Sequence, residues 1–195
     1  SVETSYSDGE NASYRLMSNG FEGESKSTWY SVSASVAIKG EGEARPSDYW
    51  YGSSLFYDKL PKTDIGSVAL ERVLRKLGQK KAKSGKYTMV VDPINSGRML
   101  SPVLSALYGS SLQQKNSFLI DKLDQKVFSD KLTVMDDPHV IGANGSRYFD
   151  NEGVATEHRP IFENGVLKTY FFDTYNAKKM GVAPTISGPS RLVIT

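Results

Sequence analysis

Histidine and cysteine are the side chains that most often hold a metal, and this sequence of 195 residues has few of them. It contains two histidines, His139 and His158, and no cysteine. A zinc site needs three or four ligands. Neither histidine has a second histidine at the helical spacing of metal ligands. His139 follows a proline in a predicted loop and His158 falls in a predicted strand, so the sequence predicts no metal site at these residues.

Acidic residues form two short clusters whose chemistry could be acid–base catalysis or cation binding. Asp136 and Asp137 precede a proline, and Asp150 is followed closely by Glu152. Asp-Asp-Pro also ends strands, and Asp-Asn-Glu-Gly is an ordinary turn, so we favour a structural interpretation. Serines are numerous, but the sequence has no G-x-S-x-G elbow. It also lacks a phosphate loop and a dinucleotide fingerprint.

Composition argues against a nucleic-acid or membrane partner. The net charge is +2, so the protein has no strong electrostatic field that would attract polyanions. The four lysines between Lys80 and Lys86 have no interleaved aromatic residues and indicate a solvated linker. We find no apolar run long enough to span a bilayer and no signal peptide. The absence of cysteine fits a reducing compartment, and we expect a cytoplasmic protein.

The first half of the sequence predicts a sheet followed by a helix. A polar strand over residues 5–18 leads into the turn Asn19-Gly20. Apolar and small residues then alternate from Tyr30 to Ile38, as in a strand with one buried face. A helix is predicted from Thr63 to Gly78. Its expected buried stripe consists of Leu70, Val73, Leu74 and Leu77. An aromatic cluster precedes it, for which we favour core and edge packing over a peptide-binding surface: Tyr49, Trp50, Tyr51, Phe56 and Tyr57.

The second half begins after Gln79–Gly85, which is the best candidate for a domain boundary. The predicted elements are a short buried strand over 87–91, a helix over 95–109, strands over 132–135, 157–162 and 166–172, and a short helix over 174–180. The buried face of the first helix is expected to comprise Leu100, Val103, Leu104 and Leu107. Pro102 should kink this helix or mark its start. Asn164-Gly165 is a strong hairpin signal.

These elements predict an α+β protein that is rich in strands, with mixed or antiparallel sheets and two main helices. We expect a sheet-plus-helix module over residues 1–80 and a β-rich domain over residues 84–195. The boundary between them rests on composition, since the segment that joins them is rich in lysine and polar residues.

Several stretches of the second half resemble, in order and spacing, the third domain of the TldD/PmbA family, proposed peptidases once described as modulators of DNA gyrase. The stretches are DDP at 136–138, GSRYFDNEG at 145–153 and ENGVLK at 163–168. The resemblance extends over the first eighty residues and implies a PmbA/TldD-like fold. Members of the family are longer at both ends, so we expect a fragment of a longer chain. The family-motif positions, for which we expect structural roles, are Asp136, Asp137, Pro138, Gly145, Ser146, Asp150 and Gly153.

The family has two branches, and the resemblance implies that this chain falls in the one without a metal site. In the TldD branch, the helix corresponding to Asn95–Gly109 carries HExxxH, whose histidines bind zinc and whose glutamate can activate the bound water. A later cysteine completes that metal shell. The matching window here holds no histidine or glutamate: Leu100, Ser101, Pro102, Val103, Leu104, Ser105 and Ala106. The chain thus resembles the TldE/PmbA branch, which implies no catalytic residue, no zinc and no other cofactor.

Resemblance to the TldE branch implies a non-catalytic subunit, a pseudoenzyme that assists proteolysis. Its expected partner is a TldD-like HExxxH peptidase subunit or a second copy in a homodimer, and the substrate is an extended peptide. Two alternatives remain open. One is a metal-dependent peptidase whose site lies in segments absent from this chain, and the other is a peptide-binding homo-oligomer without an enzymatic partner.

Overall fold

The computed structural model describes residues 1–195, which divide into two units, Ser1–Tyr87 and Thr88–Thr195. Unit 1 contains β1 (Val2–Leu16), β2 (Glu22–Ala37), β3 (Ser47–Ser54), a 3-10 turn (Tyr57–Lys59) and α1 (Ile65–Leu74). Unit 2 contains α2 (Pro93–Ser105), α3 (Gly109–Gln113), β4 (Val134–Asp136), β5 (Arg159–Glu163), β6 (Val166–Leu167), α4 (Thr174–Met180) and β7 (Leu192–Ile194). None of the four helices is both long and apolar enough to cross a membrane.

The sheet of unit 1 is antiparallel, in the order β1-β2-β3. The predicted turn is present, because the N–H of Gly20 donates to the carbonyl of Met17 (3.0 Å) and Gly20 has a φ of +90°. The predicted alternation in β2 is also confirmed. Ala34 and Val36 are buried beneath α1, whereas Ser35 between them is exposed.

Helix α1 buries a different stripe from the one that leucine spacing predicts. The buried residues are Ile65, Ala69 and Val73, whereas Leu70, Leu74 and Leu77 are all more than two-fifths exposed. Small Ala69 lets the helix approach the sheet closely. Ion pairs from Arg72 (3.5 Å) and Lys76 (3.3 Å) to Asp48 on β3 fix the rotation of the helix. The predicted leucine stripe is therefore wrong except at Val73, and the helix ends at Leu74 rather than Gly78.

The aromatic cluster lies mostly on the surface, so the core part of the expected core and edge packing is wrong for most of its members, whereas Tyr49, Trp50 and Tyr51 lie on the edge strand β3. Trp50 is half-buried, packs against the core of unit 1, and lies under the guanidinium of Arg72 (5.2 Å from ring centroid to Cζ). The exposed members are Tyr49, Tyr51, Phe56 and Tyr57.

Two predictions at the start of unit 2 are also corrected. Residues 87–91 form no strand, and Val90 is 92% exposed. Strand propensity reflects fit to a half-buried sheet, and no strand of the described chain pairs with this segment. Helix α2 starts at Pro93 and continues through Pro102 to Ser105, so Pro102 does not mark its start. Leu107, expected on the helix, lies in the turn after it, where it is fully buried.

The sheet of unit 2 is antiparallel in the order β6-β5-β4-β7, with a bulge in β4 between Val134 and Met135. The predicted hairpin turn is confirmed by positive φ angles at Asn164 (50°) and Gly165 (77°). Helix α4 matches its predicted bounds and ends at Gly181. The core combines residues from the sheet and from the segment after α2: Ala106, Leu107, Leu119, Val134, Ile161, Phe162, Leu167, Phe171 and Ile186. The protein is thus α+β with antiparallel sheets.

Candidate functional site

Residues 100–106, where the TldD branch carries its zinc motif, lie in the second half of α2 and the turn after it. The helix forms here because the carboxylate of Asp92 accepts the N–H of Ile94 (3.0 Å) and Pro93 suits the first turn of a helix. Half-buried Leu100, Val103 and Leu104 pack against the core of unit 2 together with buried Ala106. The exposed residues of the window are Ser101, Pro102 and Ser105.

The side chains of this window do not fit a zinc ion. Its polar side chains are two serine hydroxyls, whereas protein zinc sites are built from imidazole, thiolate and carboxylate groups. Across residues 1–195, no group of three or more histidine, cysteine, aspartate or glutamate residues is placed to hold a metal ion.

Of the two histidines, His139 makes contacts within unit 2 and His158 is exposed. In His139, Nε2 lies 3.1 Å from Oγ1 of Thr156, and the ring stacks on Tyr148 with 5.6 Å between centroids. His158 is exposed and precedes β5, which begins at Arg159, so its predicted place within a strand is wrong by one residue.

The Asp-Asp-Pro stretch fixes a distant segment, residues 187–191, which we call the 187–191 loop. Asp136 is fully buried at the end of β4, and its carboxylate accepts the N–H groups of Ser190 (3.0 and 3.1 Å) and Arg191 (2.9 Å). Burial raises the pKa of Asp136, although these N–H groups oppose the shift. The next residue, Asp137, donates its backbone N–H to the carbonyl of Arg191 (2.8 Å). Its carboxylate pairs with the Arg191 guanidinium at 3.4 Å.

Asp150 fixes the other end of the same loop. Its buried carboxylate accepts the N–H of Ser187 on one oxygen (2.9 Å). The other oxygen accepts those of Glu152 (2.8 Å) and Val154 (2.9 Å), which closes the Asp-Asn-Glu-Gly turn. Burial alone would raise the pKa of Asp150, but hydrogen bonds from Ser187, Val154 and Glu152 outweigh it and hold the pKa below its ordinary value.

Arg147 is the third anchor of the loop. Its Nε donates to the hydroxyl of Ser190 (2.9 Å), and its Nη2 donates to the carbonyls of Gly188 (2.7 Å) and Pro189 (3.2 Å). Gly145 passes beside the loop with a φ of +84°, and a Cβ at this position would lie 2.6 Å from the carbonyl oxygen of Ser190. A side chain at position 145 would therefore push the loop away.

The remaining motif positions shape the turns that carry these anchors. The backbone carbonyl of buried Pro138 accepts a hydrogen bond from the N–H of Arg147 (3.0 Å). The hydroxyl of Ser146 donates to the carbonyl of Val140 (2.7 Å). Gly153 adopts a φ of +76°, and its N–H donates to the carbonyl of Asp150 (3.2 Å). These contacts hold the backbone of the turns in place.

Chemically, the arrangement is a set of buried acceptors for backbone N–H groups. Asp136 and Asp150 are occupied by such bonds and shielded from water, so neither is placed to exchange a proton with a substrate. Sequence reasoning did not find Arg147 or the 187–191 loop. Arg147 lies inside the GSRYFDNEG stretch, but nothing in the sequence pairs it with residues some forty positions away.

Models of two domains from one protein family match this chain. The PmbA/TldA metallopeptidase central domain matches residues 1–77, and the C-terminal domain matches residues 84–194. The chain belongs to the PmbA/TldD family.

Individual relatives agree with this assignment. A metalloprotease PmbA homolog from Haemophilus influenzae is 35% identical over 161 residues, which are 82% of this chain and 35% of that protein. The crystal structure of a proposed modulator of DNA gyrase from Bacteroides thetaiotaomicron shares 69% identity and a TM-score of 0.97, over 100% of this chain and 44% of that one. TldE from Thermococcus kodakarensis, at 20% identity and a TM-score of 0.71 over 100% of this chain and 46% of that one, shares the fold. The chain spans about a third of the length of the curated relatives it matches.

Proposed function

We propose that this chain is part of a PmbA/TldE-type subunit that has no zinc site of its own and acts with a TldD-type metallopeptidase in the cleavage of extended peptides. The observation that carries the proposal is the window at residues 100–106. Where the TldD branch has HExxxH, this chain has apolar residues and two serines.

The packing of the window supports this proposal. Leu100, Val103 and Leu104 contact the core of unit 2, so this part of α2 serves packing. HExxxH in this window would place a histidine at Leu100 or at buried Ala106, depending on the register, and so would replace one apolar contact of the core with a polar side chain, which costs stability. The motif residues that carry the family resemblance lie elsewhere and fix the 187–191 loop. A subunit of this kind can thus keep the family's architecture while the chemistry resides in its partner.

A peptidase with its own metal site is the second candidate. It is favoured by the Haemophilus influenzae relative, which is named a metalloprotease and of which this chain covers 35%. Ligands would then come from parts of the full-length protein outside these 195 residues. The third possibility, a peptide-binding homo-oligomer, requires no enzymatic partner.

The deciding experiment mixes the full-length protein with a TldD-type HExxxH subunit from the same organism. Sedimentation follows assembly, and hydrolysis of an unstructured peptide follows activity. We expect a joint species and cleavage that requires both proteins. A matched control replaces the glutamate of the partner's HExxxH by glutamine, which should abolish cleavage without affecting assembly.

Two results would overturn the proposal. Equal cleavage by the HExxxH subunit alone, with no joint species, would favour a separate binding role. Chelator-sensitive cleavage by the full-length protein alone would favour the second candidate.

A further inference from the structure

We propose that Asn144 is a site of spontaneous deamidation, and that the isoaspartate formed there loosens the 187–191 loop. The reaction uses the backbone nitrogen of the next residue, Gly145, and one molecule of water. The proposal rests on hydrogen bonds within unit 2 and is independent of the proposed function.

Asparagine followed by glycine is especially prone to this reaction, because glycine has no Cβ to hinder the attack. The backbone N–H of the glycine gives up its proton, and the nitrogen forms a bond to the side-chain carbonyl carbon of the asparagine. The bond between that carbon and the side-chain nitrogen breaks, and this nitrogen leaves with the proton as ammonia. Water then opens the remaining succinimide ring at either carbonyl, which gives aspartate or isoaspartate. A free glycine N–H therefore favours the reaction, and a bonded one slows it.

The chain contains Asn-Gly three times, at residues 19–20, 144–145 and 164–165, and the first pair is held by two hydrogen bonds. The N–H of Gly20 donates to the carbonyl of Met17 (3.0 Å). The side-chain oxygen of Asn19 accepts the N–H of Phe21 (3.0 Å). Both the attacking nitrogen and the attacked amide are thus occupied at this turn.

The third pair is held more firmly. The N–H of Gly165 donates to the carbonyl of Leu132 (2.8 Å), and Gly165 is buried against the backbone of Phe128. The N–H of Asn164 donates to the hydroxyl of Thr133 (3.1 Å). Succinimide formation at this hairpin would require the turn to leave the core of unit 2.

At the second pair, the turn leaves the glycine N–H free. The N–H of Ser146 donates to the carbonyl of Ala143 (3.3 Å), and Gly145 takes the third position of this turn with a φ of +84°. Such a turn uses the N–H of its fourth residue, so that of Gly145 gains no bond from it. Across residues 1–195, neither the N–H of Gly145 nor the side chain of Asn144 has a hydrogen-bond partner. Of the three pairs, Asn144-Gly145 is therefore the one free to react.

Isoaspartate at position 144 acts on the 187–191 loop through the residues that follow it. Its peptide bond to Gly145 runs through the former side chain, which lengthens the backbone. Gly145 has no room to shift toward the loop, because a Cβ there would lie 2.6 Å from the carbonyl oxygen of Ser190. Arg147, which follows closely, donates three hydrogen bonds to the loop. We therefore expect the lengthened turn to weaken these bonds.

The first test incubates the full-length protein at mildly alkaline pH and follows the three pairs by peptide mass spectrometry, with chromatography separating aspartate from isoaspartate. We expect Asn144 to react about tenfold faster than Asn19, a factor equivalent to roughly one backbone hydrogen bond. Asn164 should react more slowly still. In denaturant, which removes the turns, the three rates should become similar. At mildly acidic pH all rates should fall, because fewer backbone nitrogens lose their proton.

The second test follows the loop as isoaspartate accumulates. Hydrogen exchange of the amides of Ser190 and Arg191, which donate to Asp136, should become roughly tenfold faster. The amides of Ile161 and Phe162 in β5 should keep their exchange rates.

Two variants separate this effect from general ageing of the sample. Asn144→Gln keeps a side-chain amide, but its extra methylene makes ring closure slow, so exchange in the loop should stay constant with time. Asn19→Gln is the matched control at another Asn-Gly pair, and its loop should loosen as in the native chain.

Three results would each overturn the proposal. The first is a rate at Asn144 no higher than at Asn164 in the native protein, which would mean that another part of the full-length chain holds Gly145. The second is the same ranking of the three pairs in denaturant. The third is unchanged exchange at Ser190 after isoaspartate has formed. The ranking of rates needs no variant, so it decides the matter even if Asn144→Gln does not fold.

Discussion

Replacing Asp150 by asparagine tests whether the acidic family-motif residues hold the fold. In the native chain, one carboxylate oxygen accepts the N–H groups of Glu152 and Val154, and the other accepts that of Ser187. Asparagine has the same shape but only one acceptor oxygen, so its NH₂ group must face one of these donors. A buried N–H left without an acceptor costs about 1–3 kcal/mol, and loss of the charge weakens the bonds that remain. We expect the free energy of unfolding of unit 2 to fall by about 2–4 kcal/mol.

The assay must distinguish the two units. Both tryptophans, Trp29 and Trp50, lie in unit 1, so tryptophan emission reports that unit. Hydrogen exchange of the amides of Ile161 and Phe162, in the core strand β5, reports unit 2. Asp130→Asn is the matched control, because Asp130 is exposed in the same unit, and it should change stability by less than about 0.5 kcal/mol. A loss below this value for Asp150→Asn would refute the structural role.

The pH dependence gives the same prediction a second test. The pKa of Asp150 is lowered by folding, so its stabilising contribution is present above the unfolded pKa of about 3.9 and is lost as pH falls through the folded pKa. The asparagine that replaces it has no titrating group, so the variant lacks this loss. The stability difference between the native chain and Asp150→Asn should therefore shrink between pH 7 and pH 3. An equal difference at both pH values would mean that the charge of Asp150 does not stabilise the fold.

Two further outcomes are expected. Leu107→Ala should lower the free energy of unfolding of unit 2 by about 2–5 kcal/mol, because Leu107 is fully buried. Leu104 is only half-buried, so Leu104→Ala should lower it by about 1–2 kcal/mol. Chemical denaturation measures both losses, and equal losses for the two variants would contradict this packing. Purified full-length protein should hold no stoichiometric zinc, because the window at residues 100–106 offers no suitable ligand. One equivalent of bound zinc, measured by elemental analysis, would contradict the proposed function.

Features with a local physical cause could be predicted from the sequence. The turn at Asn164-Gly165 follows from two residues that tolerate positive φ, and both adopt it. Helix α4 starts where Asp173 accepts the N–H of Asn176 and stops at Gly181 in the left-handed conformation. Strand β2 follows from alternation of apolar and small residues along one segment.

Features set by a neighbouring element could not be predicted in this way. The buried stripe of α1 depends on Asp48 of β3, which draws Arg72 and Lys76 to one flank and turns Leu70 and Leu74 outward. Periodicity identifies an amphipathic helix but gives no information about such an ion pair.

In the candidate site, too, contacts with distant parts of the chain could not be predicted from the sequence. Asp136 and Asp150 reach the 187–191 loop across 54 and 37 positions, respectively, and only the folded chain shows that both contact the same loop. The structural expectation for these residues came from the turn chemistry of their own segments. Their long-range partners, which explain why the carboxylates are buried, had no local signal.

The residues that anchor the 187–191 loop are different from those of the window at residues 100–106. This difference bears on how a family could contain members with and without a metal site. The anchors of the 187–191 loop contribute hydrogen bonds to its backbone, and none of them belongs to α2. The window contributes side-chain packing through Leu100, Val103 and Leu104. Metal ligands in the window can therefore be replaced by apolar residues without disturbing the anchors, since the hydrogen bonds that fix the loop come from residues outside the window. On this argument, family membership in this chain is carried by residues that fix the fold, and the window at residues 100–106 can vary independently of them.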